Sequence, residues 1–508
     1  MKKQPEARGE RVFVMGCSAQ LVVLLLCLVA GVRAFLFCAG FPFFNNVDEQ
    51  AHFDVVLKYS QGHPPRGMER FSGASARYFV QYGSPEFFMS PEAFPNGRFP
   101  SPAWASSAEG TSAAVSANEQ MWSDAINPES SQPPLYYVIA GLWLKLGQLC
   151  GFAGGHLLYW LRFLNVLFLA ALVWLSFLAA QEFFPQQEWV ALCVPVLVAF
   201  IPQDMFYGIG NDNLSPLCFG AVFICLIRWW RVEMLTPLLA VCLGLAMSAT
   251  YLTKLSNAPL LGVAVCVALL KVVLAARSGN FGRTLTALWI FAACAVIPVV
   301  AWMIWMQYAF GDAIGSSTHI ALLGWTPKPF AEWWHHPIFT WQGAWSFLSK
   351  LLASFWRGEF IWHGERLASA AADNFYVISS LVLVCITALH LPGLVCSDKV
   401  TAQIVSFALL SFIAAVLFLA VISIRFDFGD CVYPSRAEPY FWSGRLITGS
   451  LIPFMIVYVY GVDLAIRWTH RTWPLFATVV IIVTAVTVSE IQVNRPVFSS
   501  EYNWFHLP

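Results

Sequence analysis

The segment Asn45-Asn46-Val47-Asp48-Glu49-Gln50-Ala51-His52-Phe53 carries two adjacent carboxylates and an imidazole. It follows an apolar run that extends to Phe44. A carboxylate held beside an acceptor hydroxyl or amine can serve as a general base. In a helix, Asp48 and His52 stand at i and i+4 and share a face, while Glu49 points elsewhere. The same residues also suit a short surface helix with Asn46 or Asp48 as its N-cap. Capping and catalysis are compatible, so Asp48 is the candidate base, with Glu49 and His52 in support.

The elements that must position these groups are apolar. The 508 residues are 58% hydrophobic and 11% charged. A soluble domain carries about 25% charged residues. Basic and acidic residues balance at 29 each, which argues against nucleic acid as a partner. The 22 tryptophans suit a chain with two membrane interfaces. The 13 cysteines form no C-x-x-C pair, and most sit in apolar runs as small buried hydrophobes. Lys2, Lys3, Arg8 and Arg11 precede a run too long for a cleaved signal, so it reads as a retained anchor.

Runs of spanning length fall near 12–36, 157–179, 189–207, 214–230, 235–253, 258–276, 284–308, 374–394, 401–421, 446–466 and 473–489. The expected fold is an all-α polytopic integral membrane protein with about eleven transmembrane helices. One membrane-embedded unit covers 1–508, with a first outer loop at 42–133 and an aromatic-rich outer loop at 309–373. Pro134–Leu149 is apolar but short and holds Lys145, so it is assigned to an interfacial helix. Arg228, Arg231, Lys271, Arg277, Arg283, Lys399, Arg467 and Arg471 then share the side of the basic N-terminus. That bias marks the cytoplasmic face, and the loop at 180–188 alone departs from it. Asp48, Gln132, Asp212, Lys254 and Arg445 fall on the opposite face.

Five segments carry a resemblance. The Asp48-Glu49 pair with Ala51-His52-Phe53 is similar to the opening motif of predicted bacterial membrane proteins related to GT-C glycosyltransferases. Gln132-Pro133-Pro134-Leu135-Tyr136-Tyr137 resembles their element before the second span. Leu161-Arg162-Phe163-Leu164-Asn165 resembles the Arg-x-x-Asn start of that span. Asn211-Asp212-Asn213-Leu214 resembles an element after the third span. Ser443-Gly444-Arg445-Leu446 resembles a late Gly-Arg-Tyr motif, with Leu446 in place of Tyr. The resemblance implies a GT-C-like fold and transfer of a sugar from a polyprenyl-phosphate carrier. The acceptor would be a glycan, lipid or protein of the cell envelope. It also implies a bacterial inner membrane, an acidic residue of the first outer loop as base, and chemistry on the outer face.

On this reading Asn211 and Asp212 contact sugar hydroxyls, or Asp212 joins Asp48 on a magnesium or manganese ion. No D-x-D is present and no residue is assigned as a metal ligand. The same triplet suits a turn and cap before Leu214. Lys254 and Arg445 are candidates for the carrier phosphate, because Arg binds phosphate oxygens in bidentate fashion. Lys254 could equally snorkel to the interface. Arg436 is a weaker phosphate candidate, and Gln132, Tyr136 and Arg162 complete the substrate set. Arg162 lies one turn into its run and must face protein or a polar cavity. The run Trp341–Phe360 reads as an amphipathic helix lying on the membrane, with its tryptophans as anchors. His335, His336 and His363 match no zinc spacing. A flippase for a lipid-linked glycan is the rival from another class, and it would want ionisable residues within the spans. A polysaccharide polymerase or ligase is a second rival, with its arginines in a late outer loop.

Overall fold

The computed structural model describes residues 17–44, 48–105, 118–277, 281–467 and 473–508. The N-terminal cations, Asn45, Asn46 and Arg471 lie outside the described residues. Among those described, nine helical segments are long and apolar enough to cross a membrane. They are Ser18–Gly40, Gly154–Phe183, Asn211–Arg231, Leu255–Arg277, Thr284–Phe310, Ala370–Ser397, Lys399–Arg425, Gly444–Ile466 and Trp473–Phe498. The expected runs at 189–207 and 235–253 form shorter helices, Glu188–Ala199 and Pro237–Thr253. Twelve residues rise only about 18 Å, against about 30 Å of hydrocarbon. Phe200 leaves helical geometry, and Pro202 cannot donate to a helical ladder.

Pro134–Leu149 contains the helix Leu135–Leu149, which packs on the loop helix Glu49–Ser60. It turns back into Gly154–Arg162 through Gly151 and Gly154, both at positive φ. Trp143 and Trp160 close this hairpin. Their rings stack at 4.4 Å, and each indole N–H donates to the other's carbonyl at 2.8 Å. Beneath the loop at 42–133 lies an aromatic core built from Phe43, Phe44, Phe53, Phe79, Tyr136 and Tyr159. That core fixes Glu49–Ser60 over the end of the bundle. Within the helix, Asp54 pairs with Lys58 at 3.0 Å, one turn apart.

One expectation is corrected. The helix Trp341–Arg357 does not lie wholly on a membrane surface. Its apolar face, with Phe347, Leu351, Phe355 and Trp356, is buried in protein. Trp356 stacks on Tyr376 at 5.3 Å and donates to Ser380, so only Trp341 and Trp345 of this helix are free to anchor. The spans also hold an ion pair. Arg33 of the first helix donates to both carboxylate oxygens of Glu490 in the last. Its remaining donors go to the carbonyls of Ala199 and Ile201 and to the Tyr207 hydroxyl. A guanidinium this deep persists only when its donors are satisfied within the protein.

Candidate active site

Four element ends converge on one cluster. Asp48 precedes the loop helix Glu49–Ser60, and Asp212 lies in the 3-10 turn Asn211–Leu214. Lys254 ends the helix Pro237–Thr253, and Arg445 lies in the 3-10 turn Gly444–Ser450. Arg445 donates one Nη to Asp48 at 2.7 Å and the other to Asp212 at 3.2 Å. Lys254 donates to the second oxygen of Asp212 at 2.7 Å. Two anions and two cations thus alternate in one chain. Exposure grades along it: the side chains of Asp48, Arg445 and Asp212 are 35%, 17% and 3% accessible. Asp48 is therefore the outermost group of the chain.

Asp48 stands where an N-cap would stand but makes no capping bond. Its φ of 67° is left-handed, a region sparsely populated by residues with a side chain. Such strain persists when surrounding structure holds it, and it concentrates at functional sites. The backbone turn directs the carboxylate away from the helix N-terminus and onto Arg445. Burial works to raise the Asp48 pKa, but the Arg445 guanidinium, His52 and Lys254 outweigh it and hold the group below its ordinary range. His52 is buried, and burial holds its imidazole below the usual value. Its Nδ1 meets the Tyr137 hydroxyl at 2.8 Å and lies 3.8 Å from Glu129.

The expected set divides here. Asp48, Asp212, Lys254 and Arg445 are in direct contact. His52, Gln132, Tyr136 and Asn211 surround them: Asn211 donates to Gln132, and the Gly210 amide donates to Tyr136. Glu49 and Arg162 are a correction, because neither faces a substrate. They form a fully buried bidentate pair, both contacts at 2.7 Å. Glu49 also accepts the amides of Phe44 and Ile209, and Arg162 donates to the carbonyls of Cys38, Phe41 and Pro42. Adjacent residues of a helix face different ways, and here one faces the site and the other the core. Arg436 is a second correction: it pairs with Asp427 on an exposed loop, away from the cluster. Lys254 does not snorkel, because Asp212 holds it inside.

The divalent-cation alternative does not fit this donor set. Arg445 bridges the two carboxylates that would share the ion. Among the described residues no group of three His, Cys, Asp or Glu side chains is placed to hold a metal. Sequence reasoning missed Glu129 and Glu359. Glu129 lies beside His52, and Glu359 takes the Ser443 hydroxyl next to Arg445. Glu359 and Ser443 are 84 residues apart, and Glu129 meets His52 across the long loop between them, so no local pattern marks either.

The family model described as a predicted membrane protein, DUF2142, matches residues 33–427. The chain belongs to this DUF2142 family. The matched segment contains Asp48, Asp212 and Lys254 and ends before Arg445. No curated protein matches the chain. Among solved structures, this DUF2142 member is similar to the Archaeoglobus fulgidus oligosaccharyltransferase in its apo form. The identity is 10% and the TM-score 0.48, over 95% of this chain and 56% of that one. The same enzyme in complex with zinc and sulfate gives 10% identity and a TM-score of 0.46, over 92% and 53% of the two chains. The archaeal oligosaccharyltransferase AglB from Archaeoglobus fulgidus, in complex with an inhibitory peptide and a dolichol-phosphate, gives 9% and 0.46, over 95% and 56%. The DUF2142 chain spans little more than half the length of these structures.

Proposed function

We propose that this protein is a glycosyltransferase. It moves a sugar from a polyprenyl-phosphate carrier to a cell-envelope acceptor on the non-cytoplasmic face of a bacterial inner membrane. The observation that carries the reading is the Asp48–Arg445–Asp212–Lys254 chain, with its one exposed carboxylate tied to a guanidinium. The lysine and arginine bias of the loops and the ordered motifs support it independently.

Asp48 takes the proton of the acceptor hydroxyl. The acceptor oxygen bonds to the anomeric carbon, and the bond from that carbon to the phosphate oxygen breaks. Negative charge gathers on the departing phosphate, where Arg445 and Lys254 offset it. While Arg445 holds Asp48, the carboxylate is a weak base. A phosphate arriving at Arg445 competes with Asp48 for the same donors and frees it. Donor binding and base activation are then one event, and an acceptor or water arriving alone meets a carboxylate already engaged. Arg445 Nε is buried and has no hydrogen-bond partner among the described residues.

Asp48→Asn tests this with purified protein, undecaprenyl-phosphate sugar and an envelope extract as acceptor source. Loss of a general base should slow transfer by ~10²–10⁴-fold. Full transfer by the folded variant would remove Asp48 as the base. The Arg33–Glu490 pair within the spans is what a flippase would display. Movement of labelled lipid-linked sugar across liposomes, without transfer, would establish that second reading. The pair's saturation by two carbonyls and a tyrosine argues for a brace rather than a moving charge.

A further inference from the structure

A cavity of about 140 Å³ lies between three spans, toward the end of the bundle away from Asp48. Asn211–Arg231 and Leu255–Arg277 both begin at the cluster, beside Asp212 and Lys254, and run away from it. The cavity lies in their far halves, where the first half of Lys399–Arg425 meets them. Leu226, Ile227, Ile404 and Phe407 are buried and form its floor. Leu270 and Leu410 stand at its mouth, each about half exposed. Both belong to spans, so the mouth opens onto hydrocarbon. A cavity of roughly 150 Å³ lined by Leu, Ile and Phe stays dry and admits a benzene ring. This one has room for part of a hydrocarbon chain.

Its rim is polar and cationic. Trp230 Nε1 donates to Gln403 Oε1 at 2.7 Å. Lys271 Nζ donates to the Trp230 carbonyl at 3.2 Å and lies 5.6 Å over the Trp230 ring. Each helix places a cation one turn beyond a residue of the wall: Arg231 after Ile227, Lys271 after Val267, and Lys399 before Gln403. Residues four apart share a helix face, so the three cations crown one opening. Among the described residues none of the three forms an ion pair. Of the carboxylates nearby, Glu182 is held by Arg228, and Asp398 caps its own helix through Thr401. Glu233 is exposed on the turn beyond Arg231.

We propose that this cavity binds one anionic phospholipid of the leaflet remote from Asp48. An acyl chain enters between Leu270 and Leu410, and the phosphate sits among Arg231, Lys271 and Lys399. Charge complementarity selects this occupant, because a zwitterionic lipid supplies the same chains but brings a cation of its own to the rim. Lys271 spends one of its three N–H donors on Trp230, which leaves two for phosphate oxygens. Basic pockets between spanning helices take anionic headgroups in this way. The site is separate from the Asp48 cluster and does not depend on the glycosyl-transfer reading.

Native mass spectrometry of the full chain in detergent tests it, by titration with dioleoyl phosphatidylglycerol, dioleoyl phosphatidylethanolamine and undecaprenyl phosphate. The natural protein should bind one phosphatidylglycerol at least fivefold more tightly than phosphatidylethanolamine. Ser406→Phe puts a ring into the wall of the cavity and should weaken phosphatidylglycerol at least fivefold. Lys271→Gln combined with Lys399→Gln leaves the cavity intact and should bring the two phospholipids within twofold of each other. These changes lie at helix ends, so they test the site even if Ser406→Phe does not fold. Undecaprenyl phosphate should not displace the phosphatidylglycerol; displacement would overturn the assignment in favour of a prenyl chain. Equal affinity of the natural protein for the two phospholipids, or natural affinity in every folded variant, would overturn the anionic-lipid site.

Discussion

Glu49→Gln and Asp48→Asn are the same chemical change at neighbouring positions, and they should have opposite consequences. Each Glu49 oxygen accepts one Arg162 N–H at 2.7 Å and one backbone amide at 3.0 Å. Glutamine replaces one of those oxygens with NH2. Whichever oxygen is lost, two donors then point at a third donor. The Arg162 guanidinium stays fully buried with no opposite charge. Breaking a buried pair from one side costs about 3–5 kcal/mol. Asp48 differs on every point. It is about a third exposed, its loss leaves Arg445 paired with Asp212, and it caps nothing. A solvent-exposed pair is worth about 0.2–1 kcal/mol; this one is half-buried, but asparagine keeps an oxygen that can accept from Arg445 and takes left-handed backbone readily. Stability should therefore change by no more than about 1 kcal/mol. Titration of the purified proteins with SDS, followed by tryptophan fluorescence, would measure both. The refuting result is a Glu49→Gln chain as stable as Asp48→Asn.

Arg445→Lys should weaken undecaprenyl phosphate binding about tenfold and Arg445→Ala further, because one ammonium cannot present the two-pronged donor set; equal, natural affinity in both would make Arg445 structural. Acidification should destabilise the fold. His52 titrates below its ordinary 6.5 when folded, so its contribution is complete above that value and declines as pH falls beneath it. The slope is at most about 1.4 kcal/mol per pH unit, and His52→Gln should flatten it. Cysteines placed at the exposed positions Ala74 and Ala437, in a cysteine-free background, should both react with an impermeant reagent from outside; labelling of only one would end the single-face grouping of the cluster.

Hydropathy located the helices well, because a helix in lipid must satisfy its own backbone and so needs a long apolar run. It did not reveal that the helix at Glu188 stops at Ala199, since Phe200, Ile201, Met205 and Phe206 carry the apolar average past Pro202, Gln203 and Asp204. The charge pattern grouped Asp48, Asp212, Lys254 and Arg445, which the fold does bring into contact. It could not say that their first partners are one another. Asp48-Glu49 looked like one functional pair, yet chain reversal at a positive φ sent the two carboxylates to different places. Glu129 was invisible because its meaning comes from His52, a contact made across a long loop.

The Arg33–Glu490 pair has a consequence for how the chain is made. Its partners are 457 residues apart. At roughly 5–20 residues per second, synthesis delivers the glutamate roughly 20–90 s after the arginine. During that interval the first helix carries an unneutralised cation inside the membrane. The insertion machinery must shelter that helix, or the helix must sit shallow until the last one arrives.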